Sequence, residues 1–588
     1  MATQFWSGVR LMAVAAATTL VCLSGAQAGG SAPRGSVGPV VTDQFIINYR
    51  TSDASDETGR RDRADKAGRR AGVTVRHHRN VFNGASVMRM DRELSESQIR
   101  ALAADLMSTD SSIASIEPDV VLHAQFVPND TYFANNQWHY YEAVAGINAP
   151  AAWDRSTGAG VKVAVIDTGY RPHADLAANI LPGYDFISNL TTANDGNLRD
   201  ADASDPGDWN AVGACGTGSG ASKSSWHGTH VAGTIAAVTG NGLGVAGVAH
   251  GAKVVPLRVL GRCGGYTSDI ANAIVWASGG AVTGVPTNPN PARVINMSLG
   301  GQYACPATMQ TAINTARTNK AVVVVSAGNS NLNAAGFTPA GCAGVISVGA
   351  TTRTGAKASF SNFGTTVDIS APGADGILST LNAGTSTPGA DNYVYYQGTS
   401  MAAPHVAGVA ALMLSKNSAL TPDQVEAMIK SSAKPFPVAF SGGGGAGIVD
   451  AKKAVDLAMA SLPTTVPDVE ANNTFAAPQT IAATVTHAVV NGTIASTTDT
   501  DYYRVSIGAG KTLSATLNMA AATQNYQLYL YNPAGVLVAS SSNAAGLPET
   551  VKVANTTTAV QLYQVRVVYL AGGTGATAGK YVLNLLQQ

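Results

Sequence analysis

The stretch GTSMAAPHVAG, Gly398 to Gly408, puts a serine at the mouth of a run rich in alanine, glycine and valine. Two chemistries suit Ser400 there. Its hydroxyl can cap a helix by satisfying an orphan backbone N–H. It can equally be a nucleophile, because a helix N-terminus favours developing negative charge. Attack by a serine needs a base to take the hydroxyl proton. It also needs an acid that fixes the base's tautomer and stabilises its cation. The chain offers candidates for both. Asp167 ends the apolar run VKVAVID and precedes Thr168-Gly169; alone it would read as a turn aspartate. His227 opens WHGTHVAGTIAA, which also holds His230, and a lone histidine is more often structural. Taken together, Asp167, His227 and Ser400 are one acid, one base and one nucleophile in the order Asp…His…Ser. That order separates one group of serine hydrolases from the others.

These three residues must be brought together by the elements around them. From about Asn129 to Ser461 charge is sparse and apolar runs recur: VKVAVID, KVVPLRVL, RVINMSL, AVVVVSAG, GVISVGA and TVDISAPG. Continuous runs of this kind suit parallel strands buried on both faces. Helical patterns, SDIANAIVWAS and CPATMQTAINTARTNK, lie between them. The alternation predicts an α/β fold with a doubly wound, mostly parallel sheet, whose ligands bind at the carboxyl ends of the strands.

Before this region, residues 43–123 combine an Arg- and Asp-dense stretch with strand-like QFIINYR, GASVMRM and IASIEPDVVLH and an amphipathic SESQIRALAADLM. They predict a small α+β unit. After it, SLPTTVPDVEANNT reads as a linker over 462–471. Residues 472–588 then alternate in TDYYRVSI, TLSATLNM, NYQLYLYN and YQVRVVYL, which predicts a β-sandwich.

At 588 residues the chain exceeds a single domain of roughly 100–200 residues. Its formal net charge of +0 gives no electrostatic reason to expect nucleic acid or a membrane surface as partner. Arg10, the apolar run Leu11 to Leu23 and Ala26-Gln27-Ala28 read as an export signal over 1–28. The run is short for a membrane span, so a secreted, extracellular protein is expected. Apolar residues continue past Cys22, which argues against a lipid-modified cysteine. The cysteines beyond the signal, Cys215, Cys263, Cys305 and Cys342, suggest two disulfides, and four cysteines allow three connectivities. Neighbours in order is the expected pairing, although sequence alone leaves the others open. No CxxC spacing supports zinc.

AVIDTG, HGTHVAGT and GTSMAAPHVAG, in that order, resemble the three signature blocks of the subtilisin-like serine proteases, the subtilases. The resemblance implies that Asp167 orients the base, His227 is the base, and Ser400 attacks a peptide carbonyl. A fourth block, VVVVSAGNS, places Asn329 where subtilases carry an oxyanion donor, with the Ser400 N–H as the second donor. It further implies that Ser298, Leu299 and Gly300, opposite Gly264 and Gly265, pair with an extended peptide, and that Ala327 and Gly328 line the pocket before the cut. Main-chain pairing recognises any extended protein or peptide substrate. Acid-acting sedolisin-type enzymes lack the histidine base, and inactive binding scaffolds usually lose a catalytic residue.

The same resemblance implies structural Ca2+ held by Asp130, Asp175, Asn241 and the carbonyls of Val238, Leu243 and Val245, a donor set apt for this ion. A second cation site is suggested by the closely spaced Asp200, Asp202, Asp205 and Asp208, which repel one another unless a cation binds. Their alternative is a solvated acidic loop. Residues 43–123 resemble the inhibitor-like propeptide that blocks the cleft until the enzyme cuts it away, between about His123 and Asp130. Residues 472–588 resemble the pre-peptidase C-terminal domain of secreted bacterial proteases. A monomer is expected.

Overall fold

A computed structural model describes residues 41–50, 57–120, 126–470, 472–482 and 485–587. The export signal and residues 123–125 of the expected processing region lie outside the described residues.

The central region holds a seven-stranded sheet whose hydrogen-bonded pairs are all parallel. Its strands are β5 (Lys162–Asp167), β6 (Tyr184–Asp185), β7 (Lys253–Arg258), β8 (Val294–Met297), β9 (Val322–Ser326), β10 (Ile346–Thr351) and β11 (Ile369–Pro372). Their order across the sheet is β11-β10-β9-β8-β5-β7-β6, so Asp167 ends an interior strand. The apolar runs are continuous because both faces are covered. Val163 and Val165 of β5 belong to one core with the helices His227–Ala236, Thr399–Lys416 and Ala451–Ala460. Ala164 and Ile166 face the other core, with Thr267–Ala277 and Ala307–Thr318. At the edge of the first core lies the hairpin of β12 (Ile377–Asn382) and β13 (Asp391–Tyr396).

Ahead of this, β1 (Val41–Tyr49), β2 (Val75–Asn80), β3 (Ser86–Ser95) and β4 (Ile113–Pro118) form an antiparallel sheet in the order β2-β3-β1-β4. It carries two helices. Glu96–Thr109 is the expected one; Glu57–Arg70 comes from the Arg- and Asp-dense stretch, which the sequence marked only as charged. Ala64 and Ala67 are enough to seat it on Phe45 and Leu102 in one core.

The C-terminal region has two five-stranded sheets around one core. One is β14 (Thr464–Pro467), β16 (His487–Thr493), β23 (Lys580–Gln587), β18 (Thr512–Met519) and β21 (Glu549–Ala554). The other is β15 (Gln479–Ile481), β17 (Thr500–Ile507), β22 (Gln561–Ala571), β19 (Asn525–Tyr531) and β20 (Leu537–Ser541). The linker expectation over 462–471 is corrected in part. Thr464 to Pro467 pair in parallel with Ala488 to Asn491 and open the sandwich. A proline is tolerated on such an edge strand, which made the stretch look like a linker.

Candidate active site

Asp167 closes β5 with no exposed surface. Its carbonyl accepts from the N–H groups of Val259 and Leu260, which fixes the strand end. Its carboxylate accepts from Thr168 N at 2.8 Å and from His227 Nδ1, at 2.8 Å to Oδ1 and 3.0 Å to Oδ2. That contact directs the Nδ1 proton to the acid and leaves Nε2 as the basic nitrogen.

His227 is the first residue of its helix and follows Trp226 in the left-handed region at φ 48°. The next residue must be small: a Cβ on Gly228 would sit 2.1 Å from Gly169 O and 3.2 Å from Asp167 Cβ. Glycine therefore lets this helix approach the end of β5. Behind the histidine, Asp208 accepts from Ser225 N at 2.6 Å and Ser225 Oγ at 2.8 Å, and Ser225 Oγ accepts from His227 N at 3.3 Å. Burial disfavours the imidazolium, but the Asp167 carboxylate outweighs it, helped by Asp208 and Asp205, and the His227 pKa lies above its usual value.

Ser400 lies in the first turn of Thr399–Lys416, a helix buried along almost its whole length. Its Oγ donates to Ser298 O at 3.3 Å, and Ser298 Oγ donates to Ser400 O at 2.8 Å. Among the described residues no hydrogen bond joins Ser400 Oγ to His227. Catalytic hydrogen bonds are often long before substrate binds. Pro404 lies inside this helix, beyond its first turn, where a residue without an N–H costs one intrahelical bond. The N–H missing at 404 would have served the Ser400 carbonyl, and Ser298 Oγ serves it instead.

Asn329 follows β9. Its Oδ1 accepts from Thr399 N at 2.8 Å and Thr399 Oγ1 at 2.9 Å, which turns the Nδ2 group away from those contacts. A Cβ built on Gly398 would lie 3.4 Å from Asn329 Nδ2, 3.6 Å from Ser400 N and 3.8 Å from Asn329 Oδ1, so the amide and the Ser400 N–H both lie close to this glycine.

A cleft of about 360 Å³ is lined by His227 together with Ser298, Leu260, Gly261 and Gly264. Leu299 leans on the core, and Ser326 Oγ donates to its carbonyl at 3.4 Å. Gly300 and Gly301 lie against Thr338. Gly265 backs onto Val259 O. Ala327 is fully buried, with its carbonyl taken by Asn362 Nδ2 at 2.9 Å, and Gly328 leaves no room for a side chain beside that amide.

The disulfides are Cys215–Cys263 and Cys305–Cys342. Cys263 borders the cleft, so the first bridge ties its rim to the segment around Cys215.

Asp130 and Asp175 are buried and meet the loop 238–245. Gly240 N donates to Asp130 Oδ2 at 2.7 Å; Asn241 Nδ2 and Val245 N donate to the two oxygens of Asp175 at 2.7 and 2.8 Å; Val238 N donates to Asp175 O at 2.7 Å. Asn241 Oδ1 accepts from the N–H of Leu243 at 2.8 Å. Asp130 Oδ1 is buried without a partner, and neither carboxylate has a Lys or Arg partner among the described residues. Burial pushes the Asp175 carboxyl up to about 6. Two buried acids, one with an orphaned oxygen, fit a hard cation.

The second acidic candidate is corrected. No three of Asp200, Asp202, Asp205 and Asp208 converge within metal-ligand reach. Three of the carboxylates serve their own turns: Asp200 accepts from Asp202 N, Asp202 from Ser204 N, and Asp205 from Gly207 N, with Asp205 Oδ2 left without a partner; Asp208 instead accepts from the distant Ser225. Asp208 thus has a place beside His227 that spacing alone did not reveal. The only signal for it was an acid in a segment lacking other use.

Among the described residues no helix is long and apolar enough to cross a membrane. Residues 158–475 match the family model described as the Subtilase family. An extracellular protease of Xanthomonas campestris is 52% identical over 460 residues, 76% of this chain and 78% of that protein. An extracellular basic protease of Dichelobacter nodosus is 42% identical over 456 residues, 75% of this chain and 74% of its own length. A solved protease from Pseudoalteromonas arctica superposes with a TM-score of 0.56 at 60% identity, over 57% of this chain and all of that one. The chain belongs to the subtilase family of serine endopeptidases.

Proposed function

We propose that Ser400 attacks the scissile carbonyl of an extended polypeptide while His227 Nε2 takes the hydroxyl proton. Asp167 holds the imidazole in the required tautomer and stabilises the imidazolium. Asn329 Nδ2 and Ser400 N donate to the tetrahedral oxyanion, and His227 then protonates the leaving amine. Water repeats the sequence on the acyl-enzyme. The observation that carries this reading is the pairing of His227 Nδ1 with the buried Asp167 carboxylate at 2.8 and 3.0 Å, which leaves Nε2 as the basic nitrogen.

Substrate lies between the stretches Ser298–Gly300 and Gly264–Gly265, with the residue before the cut directed toward Ala327 and Gly328. The unit at 43–123 acts as an intramolecular inhibitor, and the mature enzyme is exported. A calcium ion held by Asp130, Asp175, Asn241 and the 238–245 backbone serves structure and takes no part in the chemistry.

The test is expression of the parent and of Ser400→Ala. The parent is expected to lose residues up to the 123–130 region, hydrolyse casein and take a phosphonyl label on Ser400. The variant is expected to stay a full-length precursor and do none of these. Normal processing or casein hydrolysis by Ser400→Ala would overturn the assignment.

A further inference from the structure

Asn329 stands on an exposed turn, and an oxyanion donor has to be held still before charge develops. The turn runs from Ala327 to Leu332, directly after β9. Asn329, Ser330, Asn331 and Leu332 are all exposed, so packing does little to hold them. Asn362, from the segment after β10, is fully buried. Its Nδ2 donates to Ala327 O at 2.9 Å, and its Oδ1 accepts from Ser330 N and from Leu332 N, both at 3.0 Å. Its backbone N–H donates to Gly328 O at 2.9 Å.

One buried side chain therefore reaches three backbone groups of the turn, one before Asn329 and two after it. The task suits an amide, which donates through nitrogen and accepts twice through oxygen. An ionised aspartate there would accept from both N–H groups but offer no proton to Ala327 O. The fit has no slack: a Cβ on Gly328, whose φ is 106°, would lie 2.3 Å from Asn362 Nδ2. The segment carrying Asn362 is itself anchored. Ser361 Oγ donates to Asn362 O at 2.9 Å, and Lys357 Nζ donates to Ser361 O at 3.0 Å and to Asn331 Oδ1 at 2.6 Å. Thr399 grips the turn from the nucleophile's helix. Its N and Oγ1 donate to Asn329 Oδ1, and its Oγ1 accepts from Gly328 N at 3.1 Å. Asn329 is thus clamped between the neighbour of Ser400 and Asn362.

We propose that Asn362 is a positioning residue for the reaction: its amide fixes the turn that presents Asn329 to the oxyanion, with Ala327 and Gly328 beside it. The inference rests on the oxyanion role of Asn329. Asn362 is fully buried and acts through Asn329 rather than on substrate. Its loss frees the turn, and a misplacement of about 1 Å in a reacting group can cost about 10²-fold in rate.

The experiment measures kcat on a peptide anilide for the parent, Asn362→Ala and Asn362→Asp, each with Asn329 present and in the Asn329→Leu background. All are expressed as the full chain, and rates are divided by the phosphonyl label taken up on Ser400. With Asn329 present, each Asn362 variant is expected to lower kcat by about 10–10²-fold. In the Asn329→Leu background the same change is expected to cost less than about threefold, because the donor it positions is gone. Should Asn362→Ala fail to fold, Asn362→Asp decides alone, since it keeps the shape of the amide and removes only its donor to Ala327 O. Equal fold losses with and without Asn329, or parental kcat in the folded Asn362 variants, would overturn the positioning role and leave the oxyanion assignment standing. Parental kcat in Asn329→Leu would overturn both.

Discussion

Asn329 commits its side-chain oxygen to Thr399 and keeps its amide protons out of those bonds, close to Gly398. A donor used only when the oxyanion forms acts on kcat and hardly on KM. Asn329→Leu is therefore expected to lower kcat by about 10²–10³, the size of loss known for a subtilisin stripped of such a donor. Steady-state kinetics on a peptide anilide measures it, and a change confined to KM would refute the role. The histidine has its own signature. Only neutral His227 can take a proton, so kcat/KM falls as pH drops through its raised pKa. Asp208 helps to raise that pKa. Asp208→Asn is expected to move the acid limb to lower pH, and a pH profile superposing on the parent's would remove Asp208 from the site's electrostatics.

The helix Thr399–Lys416 and the end of β8 work as one element. Pro404 gives the Ser400 carbonyl no helical donor, and Ser298 Oγ supplies one from the neighbouring strand end. Ser298→Ala leaves that carbonyl without its donor, at about 1–3 kcal/mol. Pro404→Ala restores an N–H aimed at the same oxygen. Its stabilising effect is expected to be larger in Ser298→Ala than in the parent, a positive coupling that a double-mutant cycle on the inhibited enzyme measures. Equal gains in the two backgrounds would show that the two donors do not compete.

Over the whole molecule, the Asp130–Asp175 pair links the segment that follows the processing region, the chain after β5, and the loop after the His227 helix. These stretches are far apart in sequence, so a cation there stabilises the folded chain by mass action. At a hundredfold excess over Kd the gain is about 2.7 kcal/mol. Chelation is expected to lower the Tm of the inhibited enzyme, and Asp175→Asn to shrink that drop. A drop of parental size in Asp175→Asn would place the stabilising ion elsewhere. The two disulfides add a second kind of link, closing separations of 48 and 37 residues.

Much of this was legible in the chain because it is a local property. Six apolar runs became six of the seven sheet strands, since a strand covered on both faces has no polar side to show. The exception, β6, is only two residues long and too short to leave a pattern. Asp167, His227 and Ser400 were marked by residue type and by the motifs around them. What the sequence did not disclose depends on contacts between distant segments. Nothing in RDADASDPGDW tells Asp208, which supports the His227 loop, from its neighbours, which bind their own turns. Nothing in ASFSNFG shows that Asn362 meets the turn of Asn329. A side chain's neighbours in sequence set its local conformation, but whether its charge is matched or orphaned is decided only when the fold brings remote atoms to it.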